Sequence, residues 1–139
     1  MAGKYTFTII KPDAVKGGHI GDILALITKA GFKISAMRML QLSLAEVTSF
    51  YSIHSAKPWF HELVNYMTSG PIVVAIVAKD NAVEDFRKLI GATDPAKAAE
   101  GTIRKLFAHN IEENAIHGSD SDDNAAIEAS FFFATCDRF

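Results

Sequence analysis

The segment NAIHGSDS, residues 114–121, places a single imidazole, His117, beside hydroxyl and carboxylate groups. Gly118, Ser119 and Asp120 are typical of a turn that follows a strand, because they supply turn geometry and local hydrogen bonds. A turn does not require the histidine. Taken alone, a histidine at a strand end is more often structural or solvated than catalytic. The segment is therefore a candidate site whose chemistry depends on what the rest of the chain brings to it.

Glu128 is the first group that could act on the imidazole. It shares a helical stripe with Ala125, Ala129 and Phe132, which predicts that its carboxylate faces the protein. A buried carboxylate needs a partner or becomes protonated, and His117 lies just upstream. A carboxylate that holds one ring nitrogen leaves the other free as a nucleophile or base. The alternative is a surface glutamate on a frayed helix.

Three cations lie next to the ends of apolar segments. Lys11 follows the apolar run 7–10, Arg87 flanks a helical apolar stripe, and Arg104 follows residues 101–103. Each alone is more often a solvated charge or a helix-end cation. Together they could converge on an anion, since arginine binds phosphate oxygens in a bidentate manner and lysine adds a point charge. If the substrate is a phosphate, the imidazole itself is the expected nucleophile.

Other kinds of site are poorly supported. The sequence has no G-x-x-x-x-G-K-[ST] phosphate loop and no G-x-G-x-x-G, the nearest approach being KGGHIGD at 16–22. No cysteine and histidine set has zinc-ligand spacing, and no G-x-S-x-G motif supports a serine hydrolase.

Composition narrows the class of protein. The chain has 139 residues, the usual size of one domain, and 49% of them are apolar. A net charge of −2 gives no overall basic field, so nucleic acid is not an expected partner. The longest apolar run, 72–78, is too short to span a bilayer, and no signal-peptide pattern is present. With Cys136 as its one cysteine, the chain is expected in the cytoplasm.

The predicted elements alternate between strands and helices along a single domain, 1–139. Alternating or continuous apolar residues predict strands at 5–10, 33–42, 72–78 and 114–116. Apolar periodicity and capping signals predict helices at 20–27, after Ser43, at 59–67, after Asn81, briefly at Asp94-Pro95, and after the caps in 119–124. This order predicts an α/β sandwich of the ferredoxin-like, split βαβ type, a four-stranded antiparallel sheet covered by helices.

The chain resembles the nucleoside diphosphate kinase family from residue 5 to about residue 133. The resemblance rests on NAIHGSDS, on IIKPDAV at 9–15, on YMTSGPIVVAIV at 66–77, on GATDPAKAAEGTIR at 91–104, and on Glu128. It implies a ping-pong reaction that moves the γ-phosphate of a nucleoside triphosphate, usually ATP with Mg²⁺, to His117. A nucleoside diphosphate then takes the phosphate. Both ring nitrogens stay open as the acceptor.

The resemblance also implies residue roles. Glu128 would orient the ring with help from Ser119. The family's phosphate and ribose contacts match Lys11, Tyr51, Arg87, Thr93, Arg104 and Asn114. Trp59 stands where the family commonly has phenylalanine stacked on the base, with Leu63 and Ile111 lining the same slot. Mg²⁺ would be carried mainly by the nucleotide phosphates, with Asp120 supporting the ion or the loop.

The loop around Pro95 matches one that helps build oligomers, so a homotetramer or homohexamer is implied. The remaining histidines match no catalytic position and are expected at the surface: His19, His54, His61 and His109. Two alternatives from other classes stay open. One is a nucleotide-responsive binding module without catalysis, and the other is a protein-histidine phosphorelay domain without a base slot.

Overall fold

The computed structural model describes residues 3–139, which fold around one four-stranded antiparallel sheet. Its strands are β1 (Tyr5–Ile10), β2 (Lys33–Leu40), β3 (Ile72–Ala78) and β4 (Ile116–Gly118). The strand order is β2-β3-β1-β4, so β3 lies between β1 and β2 and pairs antiparallel with both. This arrangement confirms the predicted split βαβ, ferredoxin-like sandwich.

Helices cover both faces of the sheet. They are α1 (Pro12–Lys16), α2 (Ile20–Lys29), α3 (Leu44–Phe50), α4 (Phe60–Met67), α5 (Ala82–Ile90), α6 (Ile103–Phe107) and α7 (Asp122–Phe132). Short 3₁₀ turns lie at Ser52–His54, Pro95–Lys97 and Thr135–Asp137. None of the helices in this part of the chain is long and apolar enough to cross a membrane.

The two central strands are buried on both faces. Val74 and Ile76 pack into one apolar cluster with residues of α3, α4 and α7, while Val73 and Val77 pack into a second cluster with α2 and α5. A strand covered on both sides has no polar face, which is why residues 72–78 read as a continuous apolar run.

Several predicted details differ from the structure. β2 ends at Leu40, two residues before the predicted end. Asn81 precedes α5 as predicted, but its backbone is left-handed, with φ 57°, and its side chain makes no capping hydrogen bond. It donates instead to the carboxylates of Glu84 and Asp85. By contrast, the predicted capping box of Ser43 and Glu46 is present with both of its hydrogen bonds.

The segment 91–110 holds more structure than its sequence suggested. Asp94 caps a 3₁₀ turn as expected, but the helix α6 follows it and had not been predicted. Thr102 caps α6 by accepting a hydrogen bond from the backbone of Lys105, and Ile103 is fully buried. The helix thereby places Arg104 against the core.

Candidate active site

His117 lies inside a strand, not after one as the sequence had suggested. The predicted strand 114–116 is shifted, because β4 runs from Ile116 to Gly118 and pairs His117 with Ile9 of β1. Its neighbours Ile116 and Gly118 point into the core, so the alternation of side chains turns the imidazole to the other face. The His117 side chain keeps 21% of its surface exposed. The residue is paired into the sheet, and its side chain remains accessible to a ligand.

A glycine lets this strand lie close to α5. A Cβ atom at Gly118 would come within 3.0 Å of Phe86 Cδ2 and 3.1 Å of Ile90 Cδ1, tighter than ordinary van der Waals contact. The backbone of β4 can therefore approach the helix only because residue 118 has no side chain.

Glu128 and Ser119 form a hydrogen-bonded group with His117. The Nε2 atom of His117 lies 2.8 Å from Oε1 of Glu128, and the Ser119 hydroxyl donates to the same oxygen at 2.6 Å. Glu128 is on the inner side of α7, with Ala125 and Ala129 buried beside it, as the helical stripe predicted. With Nε2 on the carboxylate, Nδ1 has no hydrogen-bond partner within residues 3–139 and is available to a ligand.

The backbone just before His117 is strained. Ala115 is fully buried and has φ 72°, and the N–H of Ile116 donates to the carbonyl of Asn114 at 2.9 Å, which closes a γ-turn. Such a left-handed conformation costs on the order of 1–3 kcal/mol for a residue other than glycine. The turn directs the Asn114 side chain back toward Lys11.

Lys11 is a nearly buried cation at the end of β1, with 9% of its surface exposed. Its Nζ donates to Oδ1 of Asn114 at 2.7 Å. Burial lowers the pKa of Lys11 to about 8, and the Arg104 charge adds to that effect, while the Asp13 carboxylate opposes it. A bound anion would favour the charged form of this lysine and raise its pKa again.

Arg104 is also buried, and its guanidinium donates to the carbonyls of Gly91 at 3.0 Å and Ile116 at 2.8 Å. Its Nε has no hydrogen-bond partner among the described residues. Burial lowers the pKa of Arg104 to about 10, and the nearby Arg87 charge contributes. Arg87 itself is exposed, and together with Arg104 it lines a depression in the surface.

The three predicted cations lie along one site, since Arg87 and Arg104 line one depression, Lys11 lines a neighbouring cavity, and Thr93 lines both. Arg87 acts on the pKa of Arg104, and Arg104 acts on that of Lys11, in each case by repulsion. A bound phosphate would offset this repulsion between like charges, so the arrangement suits an anion. Thr93 lines the same depression as both arginines.

Tyr51 and His117 line one cavity together with Arg87 and Asp120. Burial raises the pKa of the Tyr51 hydroxyl, and the Glu128 carboxylate raises it further. The phenol therefore stays protonated and can donate a hydrogen bond to an anion.

A slot suited to a flat ring adjoins the cations. Trp59, Leu63 and Ile111 line a cavity of about 510 Å³, which Lys11 and Thr93 also line. This volume lies in the range of small-molecule sites. The ring slot shares Thr93 with the depression that Arg87 and Arg104 line. That depression in turn shares Arg87 and Asp120 with the His117 cavity. The three depressions thus run from the ring slot to the imidazole.

Some residues at this site were missed by the sequence interpretation. His54 is half-buried in the His117 cavity, its ring centroid 5.3 Å from that of Trp59, although it had been expected at the surface. His61 and His109 are exposed as expected, and His19 is half-buried. Asp13 and Tyr66 are hydrogen-bonded to each other beside the slot. Asp13 lies two residues after Lys11, and Tyr66 lies within the predicted helix 59–67. These positions were the sequence signal that could have identified them.

The donor set for a metal ion is small. Among residues 3–139, no group of three or more histidine, cysteine, aspartate or glutamate side chains could hold a metal. Asp120 is the carboxylate on the wall of the His117 cavity, and its pKa is lowered chiefly by the Asn124 amide, which donates to it at 2.5 Å. A charged carboxylate beside a phosphate site fits an ion held mainly by phosphate oxygens.

Known proteins match this chain along most of its length. The family model described as nucleoside diphosphate kinase matches residues 4–137. A nucleoside diphosphate kinase of Flavobacterium psychrophilum is 61% identical over 139 residues, which is 100% of both chains. One from Anaeromyxobacter sp. is 55% identical, covering 96% of this chain and 91% of the relative.

Solved structures agree in fold. The Aquifex aeolicus nucleoside diphosphate kinase has a TM-score of 0.95 at 37% identity, covering 98% of this chain and 99% of that one. The Halobacterium salinarum enzyme, solved in complex with CDP, has a TM-score of 0.93 at 34% identity, covering 98% and 91%. A family match over nearly the whole chain and relatives above half identity lead to one conclusion: the chain belongs to the nucleoside diphosphate kinase family.

Proposed function

We propose that this chain transfers the γ-phosphate of a nucleoside triphosphate to a nucleoside diphosphate through a phosphohistidine on His117. The observation that carries the proposal is the pairing of His117 Nε2 with Glu128, which leaves Nδ1 free at a cavity that Arg87 also lines. A binding module would not need an oriented nucleophile. The ring slot beside the cations also argues against a phosphorelay domain that binds only proteins.

Nδ1 is the proposed acceptor. Because Glu128 accepts the hydrogen of Nε2–H, the neutral ring carries its lone pair on Nδ1. In the first half-reaction the bond between Nδ1 and the γ-phosphorus forms while the bond to the bridging oxygen breaks, and the diphosphate leaves. In the second, a terminal oxygen of another diphosphate attacks the phosphorus and the N–P bond breaks. The Glu128 carboxylate stabilises the positive charge that develops on the ring.

The cations hold the transferred group. Lys11, Arg87 and Arg104 stabilise charge on the phosphate oxygens, and the Tyr51 hydroxyl donates to them. Asn114 fixes the Lys11 ammonium. Mg²⁺ bound by the nucleotide, with Asp120 near it, would neutralise charge on the donor phosphates. The Thr93 hydroxyl would bind the ribose or a phosphate. The Ser119 hydroxyl would hold the Glu128 carboxylate in place.

The base is proposed to stack on Trp59, in the slot that Leu63 and Ile111 also line. A ring face accepts any base, because every base has a π-face, so a broad nucleotide range is expected. The CDP in the Halobacterium salinarum structure supports nucleotide binding by this fold.

Three broader expectations accompany this function. Residues 1–139 are proposed to act as one domain. A homotetramer or homohexamer is proposed from the family resemblance of the Pro95 loop. A cytoplasmic location is proposed because Cys136 is a free, exposed thiol, which suits a reducing compartment.

The test is steady-state turnover of ATP with a second diphosphate in His117→Ala, compared with His61→Ala, an exposed histidine on α4. The proposal predicts that His117→Ala abolishes phosphate transfer while nucleotide still binds, and that His61→Ala retains wild-type turnover. Transfer at the original rate by His117→Ala would contradict it.

A further inference from the structure

The carboxyl group of Asp13, in the first turn of α1, holds two partners on different sides of the site. Its Oδ2 accepts the backbone N–H of Ala115 at 3.2 Å, and its Oδ1 accepts the hydroxyl hydrogen of Tyr66. Tyr66 lines the ring slot together with Trp59. One side chain thus joins the wall of the slot to the γ-turn that leads into His117.

The γ-turn depends on such external contacts. The left-handed conformation of Ala115 is intrinsically unfavourable and persists only where the surroundings fix it. Two hydrogen bonds from other elements do so, the Lys11 N–H to the Ala115 carbonyl at 2.8 Å and the Ala115 N–H to Asp13, in addition to the turn's own bond from Ile116 N–H to the Asn114 carbonyl. Of these, the bond to Asp13 is the one made by a side chain.

The γ-turn also sets the positions of the groups that act on the phosphate. Asn114, at the start of the turn, accepts a hydrogen bond from the Lys11 ammonium. His117 follows two residues after Ala115, in β4. A small displacement of either group relative to a bound phosphate would lower the rate far more than the affinity, because transfer requires in-line alignment.

We propose that Asp13 is a positioning residue, which holds the strained turn before His117 and couples it through Tyr66 to the nucleotide slot. The proposal rests on the proposed function, since its consequence is the rate of phosphate transfer. Asp13 acts through the turn and through Lys11, without a contact to the transferred phosphate.

The charge of Asp13 has a second consequence. It favours the protonated form of Lys11, against burial and the Arg104 charge, which lower the pKa of that lysine. The Tyr66 ring of α4 faces Lys11 from a centroid distance of 6.0 Å, and Glu62 and Glu112 line the same slot. Removing the Asp13 charge should therefore shift the loss of the Lys11 proton to lower pH.

Three variants separate these effects: Asp13→Asn, Asp13→Ala and Tyr66→Phe, with the exposed Asp22→Ala as the control. Asparagine keeps an acceptor for Ala115 N–H but loses the charge. We expect its kcat to stay within a few-fold of wild type and the alkaline limb of its pH profile to move down by about half a unit or more. Asp13→Ala should lower kcat about tenfold or more, with a smaller change in KM. Tyr66→Phe should lower kcat a few-fold.

The exchange of the Ala115 amide hydrogen, measured by NMR in the nucleotide-free protein, should be faster in Asp13→Ala and Tyr66→Phe than in wild type or Asp22→Ala. The proposal is overturned if both Asp13→Asn and Tyr66→Phe keep the wild-type kcat, amide exchange and pH profile. This test holds even if Asp13→Ala does not fold. If the wild-type chain itself transfers no phosphate, the proposed function fails. If the wild-type chain transfers phosphate but Tyr66→Phe leaves the Ala115 exchange unchanged, the coupling through Tyr66 is overturned while the proposed function stands.

Discussion

One oxygen of Glu128 serves both His117 and Ser119. Oε1 lies 2.8 Å from the imidazole Nε2 and accepts the Ser119 hydroxyl at 2.6 Å. Ser119 is fully buried, so its hydroxyl is held in place and fixes the carboxylate in turn. The tautomer and orientation of the ring therefore follow from two hydrogen bonds that exist before any nucleotide binds.

Removing the charge of Glu128 should slow phosphorylation more than it weakens binding. In Glu128→Gln the ring loses the carboxylate that stabilises its developing positive charge, so the single-turnover rate should fall about tenfold or more. The dissociation constant for ADP should change little. Glu100→Gln, at an exposed site, is the control. An unchanged single-turnover rate in Glu128→Gln would remove Glu128 from the mechanism.

Nucleotide affinity should fall as the pH rises through about 8, the pKa to which burial lowers Lys11 in the free protein. Below that pH the ammonium is charged and attracts phosphate, and above it the amine is neutral. Binding of an anion favours the charged form, so ADP binding above pH 8 should take up a proton. Calorimetry in buffers of different ionisation enthalpy measures this uptake. Lys11→Met should abolish it, and uptake that persists in this variant would assign the proton to another group.

Trp59 should report nucleotide binding by a change in its fluorescence, since it is the chain's one tryptophan and is 44% exposed at the ring slot. Trp59→Ala should weaken binding by about 1–3 kcal/mol, the value of stacking one base on an aromatic ring. Trp59→Phe should lose far less, because a smaller ring still stacks. Equal affinities of wild type and Trp59→Ala for ADP would place the base elsewhere.

Gly118→Ala should lower the free energy of unfolding by about 1–3 kcal/mol, because its Cβ would press on Phe86 and Ile90. Gly21→Ala is the matched control. A Cβ at Gly21, inside α2, meets no atom within 4 Å, and alanine favours the helix by up to about 1 kcal/mol. Urea unfolding compares the two. Equal stability of both variants would mean that β4 can move away from α5 without cost.

The sequence was sufficient for three of the four strands and for the inward stripe of α7, because these depend on continuous or periodic apolar residues, whereas the fourth strand was predicted two residues too early. Residues 72–78 predict a buried strand, and Ala125, Ala129 and Glu128 share one side of a helix. It was insufficient where a single contact decides the conformation. Asn81 adopts a left-handed backbone, so it precedes α5 without capping it.

The candidate site shows the same division. The cations Lys11, Arg87 and Arg104 could be selected by their positions at element ends, but their mutual repulsion is visible only in three dimensions. The left-handed Ala115 has no sequence signature, because alanine is not typical of that conformation. Its strain is balanced by hydrogen bonds from residues about a hundred positions earlier, at Lys11 and Asp13.

The most direct measurement is incubation of the protein with γ-labelled ATP and Mg²⁺, removal of free nucleotide, and a test of the protein for label. We expect stoichiometric label that is acid-labile and base-stable, located on Nδ1 of His117, and discharged as GTP when GDP is added. Nucleotide binding without label, or label that GDP does not remove, would contradict transfer through the imidazole.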